Sequence, residues 1–368
     1  MNSRYSKANS GLLLAICGVL LSPVGTARAD EKLRKQVVAK GIEFMQKRGQ
    51  SGDGSVSPRI GIGLTALAAH AMIRNEVPLE HPSVAKAIKI VAGAARENGG
   101  IYPDNSRLMM YETCVAMMCL KEANKSGKYD TVLAKAAAFV KGEQFTNAKG
   151  IKESDLEYGG AGYGGKSRPD LSNTAYLIDA LKAMDSEEHD EAIQAALTFV
   201  SRCQNLESAH NTTKDAAKVD DGGFYYNITE SSSAAGKTDE GGLRSYGSMT
   251  YAGFKSMLHA GLKEDDPRVA AALTWIRDHY TVTENPGLGD AGLYYYYHLF
   301  AKSLSTAGID TLQDEDGVEH NWREELVAHL AKLQGKDGSW TNSNERWMES
   351  DPNLATTFSL LALSYCKQ

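Results

Sequence analysis

The chain has 368 residues, 42% of them hydrophobic, which is enough length and apolar content for a large folded core. Its formal net charge of −6 argues against a nucleic-acid or anionic-membrane partner. Beyond the first 29 residues, no stretch approaches 18 uninterrupted apolar residues, so we expect no membrane-spanning segment in the mature chain.

The N-terminus has the three parts of a secretory signal peptide. Arg4 and Lys7 form a basic start, residues 11–21 form an apolar stretch too short to span a bilayer well, and residues 27–29 read Ala-Arg-Ala, an AxA cleavage site. We therefore predict cleavage after Ala29 and a periplasmic or extracellular mature protein. Removing the three basic residues of this segment takes the net charge from −6 to −9.

Four cysteines remain in the mature chain, at Cys114, Cys119, Cys203 and Cys366. They are too few and too scattered for a disulfide scaffold. A helical separation of five residues places Cys114 and Cys119 on different faces, too far apart to pair. The sequence leaves open whether Cys203 or Cys366 forms a bridge.

Six segments share an Ala-rich pattern with apolar residues at three- and four-residue spacing, which is typical of amphipathic helices. They are residues 37–46, 83–95, 131–144, 190–204, 268–280 and 323–334. Each has a polar face, so we expect each to lie on the outside of the fold.

A second helical run follows each of these segments and is apolar on nearly all sides, so its neighbours must bury it. These runs are residues 63–73, 111–120, 173–184, 248–258, 292–304 and 356–365. Six pairs with buried inner members close naturally into a ring. The sequence therefore predicts an all-α (α/α)6 toroid over residues 30–368, as a single domain with a loop insertion at about 205–245.

The turns from outer to inner helices follow one template, in which Asp or Asn is followed by Gly, by Gly or Ser, and by a bulky residue. It occurs at residues 53–56, 98–101, 221–224 and 337–340. Glycine is needed where the backbone has a positive φ, and the Asp or Asn side chain can bond amides of the turn. The turns near residues 159–165 and 287–292 are glycine-rich but degenerate. We expect the bulky residue to pack as a wedge between successive pairs.

The stretch LQGKDGSW, residues 333–340, resembles the QW repeat of squalene cyclases. In its repeat pattern, essentially the whole mature chain resembles the α/α toroid that squalene cyclases share with protein prenyltransferase β subunits. The resemblance implies that Gln334, Asp337, Gly338 and Trp340 tie adjacent helix pairs together. It also implies an isoprenoid-related function.

The chemical motifs of these relatives are missing or altered. Squalene cyclases protonate an alkene with a DxDD motif, and none occurs here. Protein prenyltransferases hold zinc with a DxC motif and a histidine on the next inner helix. This chain has Glu112 and Cys114 at the first place and Asn173 at the second. Because Asn is a poor zinc ligand, we expect no metal and no cofactor, with Glu112 and Cys114 as weak metal candidates.

The inner helices begin at one mouth of the predicted ring, and their first residues are unusually aromatic. Free amides at helix N-termini there would favour an anionic ligand group. Of the four tyrosines at 294–297, about two can face one cavity at 100° per residue. The expected substrate-binding residues are Tyr111, Asn173, Tyr246, Tyr251, Tyr294 and Asp351, and the candidate catalytic residues are Glu112, Asp170 and His298. Each tyrosine has an alternative role in helix packing, and each acidic residue has one as a helix cap.

Three functions fit this pattern. The first is an exported toroid protein whose aromatic central cavity binds or transforms an isoprenoid-type lipid or another small molecule, without DxDD or the family zinc site. The second is a non-catalytic binding or scaffold module with a protein partner, and the third is a polysaccharide-active enzyme. A deep closed pocket favours a lipid, an open groove favours a polysaccharide, and a filled centre favours a scaffold. The insertion at 205–245 is placed to cover the mouth.

Overall fold

A computed structural model of the protein describes residues 24–165, 167–187, 190–229 and 233–367, with side chains from residue 31 onward. Most of the predicted signal peptide, residues 1–23, lies outside the described residues. The first described helix begins at Val24 and therefore includes the predicted cleavage position. Export stays a prediction.

Outer and inner helices alternate along the chain in six pairs. In order, the pairs are α1 (Val24–Phe44) with α2 (Ile62–Arg74), α3 (Pro82–Gly93) with α4 (Met109–Ala123), α5 (Asp130–Glu143) with α6 (Leu171–Ala183), α7 (Glu191–Arg202) with α8 (Gly247–His259), α9 (Pro267–Asp278) with α10 (Leu293–Thr306), and α11 (Trp322–Leu333) with α12 (Pro352–Ser364). A short antiparallel ribbon, β1 (Leu312–Gln313) and β2 (Glu319–His320), stands between α10 and α11.

The inner helices form a closed ring. Each inner helix packs against the next, and α12 packs against α2. The outer helices lie around them, and α11 contacts α1. This arrangement confirms the predicted all-α (α/α)6 toroid. Within the described residues, no helix combines the length and the apolar composition that crossing a bilayer requires.

Four glutamine side chains, of which Gln144 and Gln204 are buried and Gln50 and Gln334 are partly buried, each join one helix pair to the next. Each uses its amide nitrogen to donate to two carbonyls, one in the turn after its own outer helix and one in the next outer helix. The four clamps are Gln50 to Gly54 and Ser83 (both 2.8 Å), Gln144 to Gly159 and Ala192 (2.8 and 2.9 Å), Gln204 to Gly222 and Arg268 (2.9 and 2.8 Å), and Gln334 to Gly338 and Val37 (3.0 and 2.9 Å). The last clamp reaches α1 and therefore closes the ring.

The turn glycines lie directly against the backbone of the next outer helix. At Gly338, where φ is +90°, a Cβ would stand 2.3 Å from the carbonyl oxygen of Lys40, and at Gly159, where φ is +82°, it would stand 1.7 Å from that of Ala195. No side chain fits there, so glycine is required both by conformation and by contact. The third turn, which the sequence pattern marks as degenerate, thus makes the same contacts through Gln144 and Gly159.

A threonine early in five inner helices fixes the end of the turn before it. The hydroxyl accepts from the amide of the residue that ends the turn, as in Thr356 with Trp340 at 3.0 Å. The other four pairs are Thr65 with Val56, Thr113 with Ile101, Thr174 with Ala161, and Thr250 with Phe224. All five turn residues are fully buried. Each threonine therefore sets where its inner helix begins relative to the turn.

The four cysteines at positions 114, 119, 203 and 366 are buried free thiols. Neither Cys203 nor Cys366 is bridged in the described part of the chain. The ring is held by packing and by the clamps.

Trp340 is the wedge of the last turn. It is fully buried, its Nε1 donates to the Leu330 carbonyl at 2.9 Å, and its ring lies so close to Gly41 that a Cβ there would be 2.9 Å away. We expect Trp340→Ala to lower the free energy of unfolding by about 3 to 5 kcal/mol, because it leaves a large cavity between α11 and α1. Chemical denaturation measures this change.

Trp347→Ala is the matched control, since the Trp347 side chain is 47% exposed. It should cost less than about 1 kcal/mol. Equal losses for the two variants would contradict the wedge role of Trp340.

Candidate ligand-binding cavity

A cavity of about 550 Å³ lies at the end of the ring where the inner helices begin. All six inner helices or the residues just before them contribute to its wall, through Leu64, Tyr111, Asn173, Tyr246, Tyr295 and Phe358 among others. Three loops complete it. The convergence of the inner-helix N-termini on one mouth, expected from the sequence, thus produces a cavity that is partly open to solvent, where the lining residues Trp347 and Met348 are 47% and 52% exposed.

Aromatic rings form much of the cavity wall. Tyr111 is central, with its ring 5.2 Å from that of Tyr176 and 6.4 Å from that of Tyr163, both in edge-on contact. On the opposite side, the Tyr295 hydroxyl lies 2.7 Å from Ser172 Oγ. Such packed rings present apolar faces to a ligand while their hydroxyls keep polar partners.

One side of the cavity is polar and is built around Asp170, the N-cap of α6. Its carboxylate accepts from the Asn173 backbone amide at 2.8 Å and from Asn173 Nδ2 at 2.7 Å. Burial raises the pKa of Asp170 to about 6, although hydrogen bonds from Asn173 and Tyr226 oppose this shift. Asp170 lies behind Asn173 and Tyr226, which line the cavity. A carboxyl group that is partly protonated near pH 6 therefore lies directly behind the cavity wall.

The inner-helix amides at the mouth are largely occupied by side chains of the chain itself. Glu112 accepts from the amide of Ile62 at 3.0 Å and from Ser106 Oγ at 2.6 Å, and so caps α2 from the neighbouring helix. Glu349 accepts from the amides of Tyr294 and Tyr295 and so caps α10. Burial raises the pKa of both carboxyls. The expectation that free helix N-termini at this mouth bind an anion therefore does not apply to α2 and α10, because the dipoles of these two helices already have carboxylate partners.

Three of the expected substrate-binding residues lie away from the cavity surface. Tyr251 packs between inner helices, with its ring 5.2 Å from that of Phe300. The Tyr294 hydroxyl donates to the Thr341 carbonyl at 3.2 Å, because the turn of 100° per residue directs it away from Tyr295. Asp351 caps α12 by accepting from the Asn353 amide at 2.8 Å. Tyr111, Asn173 and Tyr246 do line the cavity.

The remaining candidate residues, His298, Cys114 and Glu112, do not line the cavity. His298 is buried below the cavity floor and stacks on Phe358, and burial holds its pKa well below the usual range. Cys114 is fully buried, and burial raises its thiol pKa. Glu112 is a cap, as described above. Among the described residues, no group of three or more His, Cys, Asp and Glu side chains is placed to hold a metal ion.

Several residues of the cavity wall are not among those that the sequence predicts. Tyr176 and Phe358 lie one turn or more inside their helices and read as ordinary core positions in the sequence. A loop before α12 contributes Trp347 and Met348, both with positive φ, and Glu349. Two successive non-glycine residues with positive φ place local strain on the backbone, and no sequence pattern predicts such strain.

The insertion at 205–245 also reaches the cavity. Its two ends are joined by Asn205, whose Nδ2 donates to the Leu243 carbonyl at 2.7 Å and to Ser245 Oγ at 2.9 Å. From the described part of the insertion, Tyr226, Ser233 and Ala234 line the wall. The insertion therefore forms part of the cavity.

Comparison with known proteins gives one family and several similar structures. The model of the squalene-hopene cyclase C-terminal domain matches residues 106–362. A structure of a protein from Actinoplanes has a TM-score of 0.53 and 13% identity, and the match covers 90% of this chain and 99% of that one. No curated protein matches the chain.

Two structures of variants of the type II terpene cyclase MstE from Scytonema are also similar. One is a complex with its substrate geranylgeranyl dihydroxybenzoate, with a TM-score of 0.56, 10% identity and coverage of 92% of this chain and 99% of that one. The other is an apo form, with a TM-score of 0.54, 12% identity and coverage of 92% and 98%. At these identities the likeness is one of fold.

The raised pKa of Asp170 has a measurable effect on stability. Its folded pKa of about 6 lies above the ordinary value of 3.8, so the folded state binds more protons between these values and its stability falls as the pH rises through them. From pH 4.5 to 7.5, we expect wild type to lose about 2 kcal/mol of unfolding free energy relative to Asp170→Asn. Denaturant titrations at the two pH values measure this difference.

Asp351→Asn controls for the loss of a capping carboxylate, since Asp351 occupies the equivalent N-cap of α12. A pH dependence that is the same in wild type and Asp170→Asn would contradict a buried, partly protonated Asp170.

Proposed function

Because the chain belongs to the squalene-hopene cyclase C-terminal domain family, we propose that its central cavity binds an isoprenoid-type lipid. The observation that carries this proposal is the tyrosine-lined cavity, with its mostly apolar wall, at the N-terminal ends of the inner helices. Hydrocarbon chains gain from apolar contact, and a mostly apolar wall offers few hydrogen-bond partners to a sugar polymer. The wall therefore favours a lipid over a polysaccharide.

The volume limits the size of the ligand. If a heavy atom needs about 30 Å³, the share of one water molecule in the liquid, a 550 Å³ cavity holds on the order of 20 heavy atoms. This is the size of a chain of three or four isoprene units. We therefore propose a ligand nearer to geranylgeraniol than to squalene.

The polar wall supports a transformation as well as binding. A protonated Asp170 can pass a proton through the Tyr226 hydroxyl, its hydrogen-bond partner on the cavity surface, to an alkene carbon. The alkene's π pair then forms the new C–H bond, a second alkene closes a ring on the carbocation, and a proton returns to Asp170. The product is an isomer of the substrate. Aromatic faces such as those of Tyr176 and Phe358 stabilise the cation on the way.

A second candidate is a binding module without catalysis, and a specific observation favours it. Asp170 is not part of the cavity surface, and its two oxygens already have hydrogen bonds from Asn173. A carboxyl held in this way also serves as a plain helix cap. The two candidate functions have the same ligand. They differ in whether the protein converts that ligand into a product.

We also propose that the protein acts outside the cytoplasm, on the strength of the basic start, the short apolar stretch and the AxA site in residues 1–29. Fractionation of the source cells and N-terminal sequencing of the mature protein test this. A mature N-terminus at Asp30 is the expected result.

For the ligand, we expect geranylgeraniol to bind to delipidated protein with one molecule per chain, and squalene to bind more weakly. Native mass spectrometry measures both. Ser172→Phe should abolish binding, because Ser172 faces the cavity and the added ring fills it.

Ser126→Phe is the matched control, since Ser126 is exposed in the loop after α4. It should bind like wild type. Unchanged geranylgeraniol binding by a folded Ser172→Phe protein would sink the cavity assignment.

For catalysis, we expect deuterium from D2O to enter a cyclic isomer of the bound isoprenoid, and turnover to fall as the pH rises through about 6, because the acid form of Asp170 is required. Mass spectrometry of extracted lipid follows the label. Asp170→Asn should stop incorporation and Tyr226→Phe should slow it strongly. Recovery of unlabelled, unchanged lipid from wild type would select the binding module instead.

A further inference from the structure

A second polar cluster lies on the ring axis, toward the C-terminal ends of the inner helices and away from the cavity. Asp179 of α6 contacts the ammonium groups of two lysines, Lys255 of α8 and Lys302 of α10, the second at 2.6 Å. Both lysines use the same carboxylate oxygen, Oδ2. The other oxygen lies 3.5 Å from Nε2 of His259. In the described part of the chain, Asp179 is the one carboxylate that pairs with either lysine.

The cluster carries more positive than negative charge. Lys255 is fully buried, and burial lowers its pKa to about 8. Burial also disfavours the charge of Lys302, but the field of Asp179 outweighs this and raises its pKa. Arg74 adds a third cation that acts on Lys302, and its guanidinium donates to Ser364 Oγ and lies 4.3 Å from the Tyr365 ring. Two ammonium groups thus share one carboxylate, and a third cation lies near Lys302.

Buried donors in this cluster lack acceptors. An ammonium has three N–H groups, and for the fully buried Lys255 the described residues supply one acceptor, Asp179. Two further atoms of the cluster have no hydrogen-bond partner among the described residues, the acceptor Asp179 Oδ1 and Nδ1 of His298. The His298 ring is neutral, because burial and the field of both lysines hold its pKa well below the usual range. An excess of buried positive charge with unpaired donors is costly, and a bound anion removes that cost.

The cluster is reachable from solvent at the C-terminal end of the ring. The Lys302 side chain is 12% exposed and that of His259 is 19% exposed, whereas Lys255 behind them is closed off. Nearby carboxylates are already engaged, since Asp185 pairs with Lys121 and Glu76 pairs with Lys367. Of the two lysines, Lys302 is therefore the one that an entering anion can reach.

We propose that this end of the ring binds a small oxyanion, a phosphate or a carboxylate, at Lys302, with Arg74 and His259 at the entrance and Lys255 and His298 behind. The site is separate from the isoprenoid cavity, because His298 and the Phe358 ring stacked on it lie between the two. It does not depend on whether the cavity is catalytic. In a chain with a net charge of −6, it is a local positive centre that selects anions.

Inorganic phosphate and acetate are the probes, titrated by calorimetry into the full-length mature protein at constant ionic strength. We expect saturable binding of at least one of them with one site per chain. Lys302→Met should weaken it about tenfold or more, because a charge-assisted hydrogen bond is lost while the aliphatic stem is kept. Lys182→Met is the matched control, since Lys182 lies at the same end and donates to the Ser186 carbonyl.

Asp179→Asn gives a test of opposite sign. This substitution removes the carboxylate that competes with the oxyanion for the lysines, so it should tighten oxyanion binding severalfold. If the cluster is purely structural, the variant should not bind the oxyanion. Lys302→Arg keeps the charge and should retain binding if Asp179→Asn fails to fold. Three results would overturn the proposal. They are the absence of saturable heat with either probe, the same heat when sodium chloride replaces the probe, and an equal loss of binding in Lys302→Met and Lys182→Met.

Discussion

The ring depends on one interaction that the described residues repeat at four of the six junctions, a glutamine amide that donates to two backbone carbonyls. Each carbonyl belongs to a different helix pair, so a single side chain fixes the distance and the angle between neighbours. A fully buried amide such as that of Gln204 cannot bond to solvent water, so breaking the clamp leaves two buried N–H groups without acceptors. The glycine beside each clamp then lets the turn lie directly against the next outer helix.

These clamps also explain why ionisable side chains can lie on the ring axis. Because the outer contacts hold the pairs in place, the inner helices can carry groups that do not help packing. At one end this leaves an aromatic cavity with a partly protonated carboxyl in its wall. Toward the other end, the same helices bury two lysines against Asp179. The axis is therefore polar below its aromatic chamber.

The helix pairs follow from the sequence because outer and inner segments differ in a simple way, one amphipathic and the other apolar on all sides. The template of Asp or Asn with glycine predicts four turns. It misses the third, since Ala161 replaces the bulky residue while Gln144 and Gly159 keep their contacts. The five threonines are equally regular, but a hydroxyl in an apolar run carries no signal without knowledge of the turn it faces.

The site was less predictable than the fold for a physical reason. Helical rotation decides which of four consecutive tyrosines reaches the cavity, and an uncertainty of one residue at the helix start is enough to exchange Tyr294 for Tyr295. Glu112 reads equally well as a catalytic acid or as a cap, and the choice rests on its contact with a helix distant in sequence. Such long-range partners have no local signature.

The clamp from Gln334 to α1 has a consequence for the order of assembly. Pairs one to five meet their neighbours as the chain grows, but the open side of α1 meets Gly338 and Trp340 about 300 residues later. Until then, an incomplete crescent exposes apolar edges at both ends. Among the described helices the finished ring has no such edges, so moving the chain ends to another turn would preserve the contacts that hold it closed.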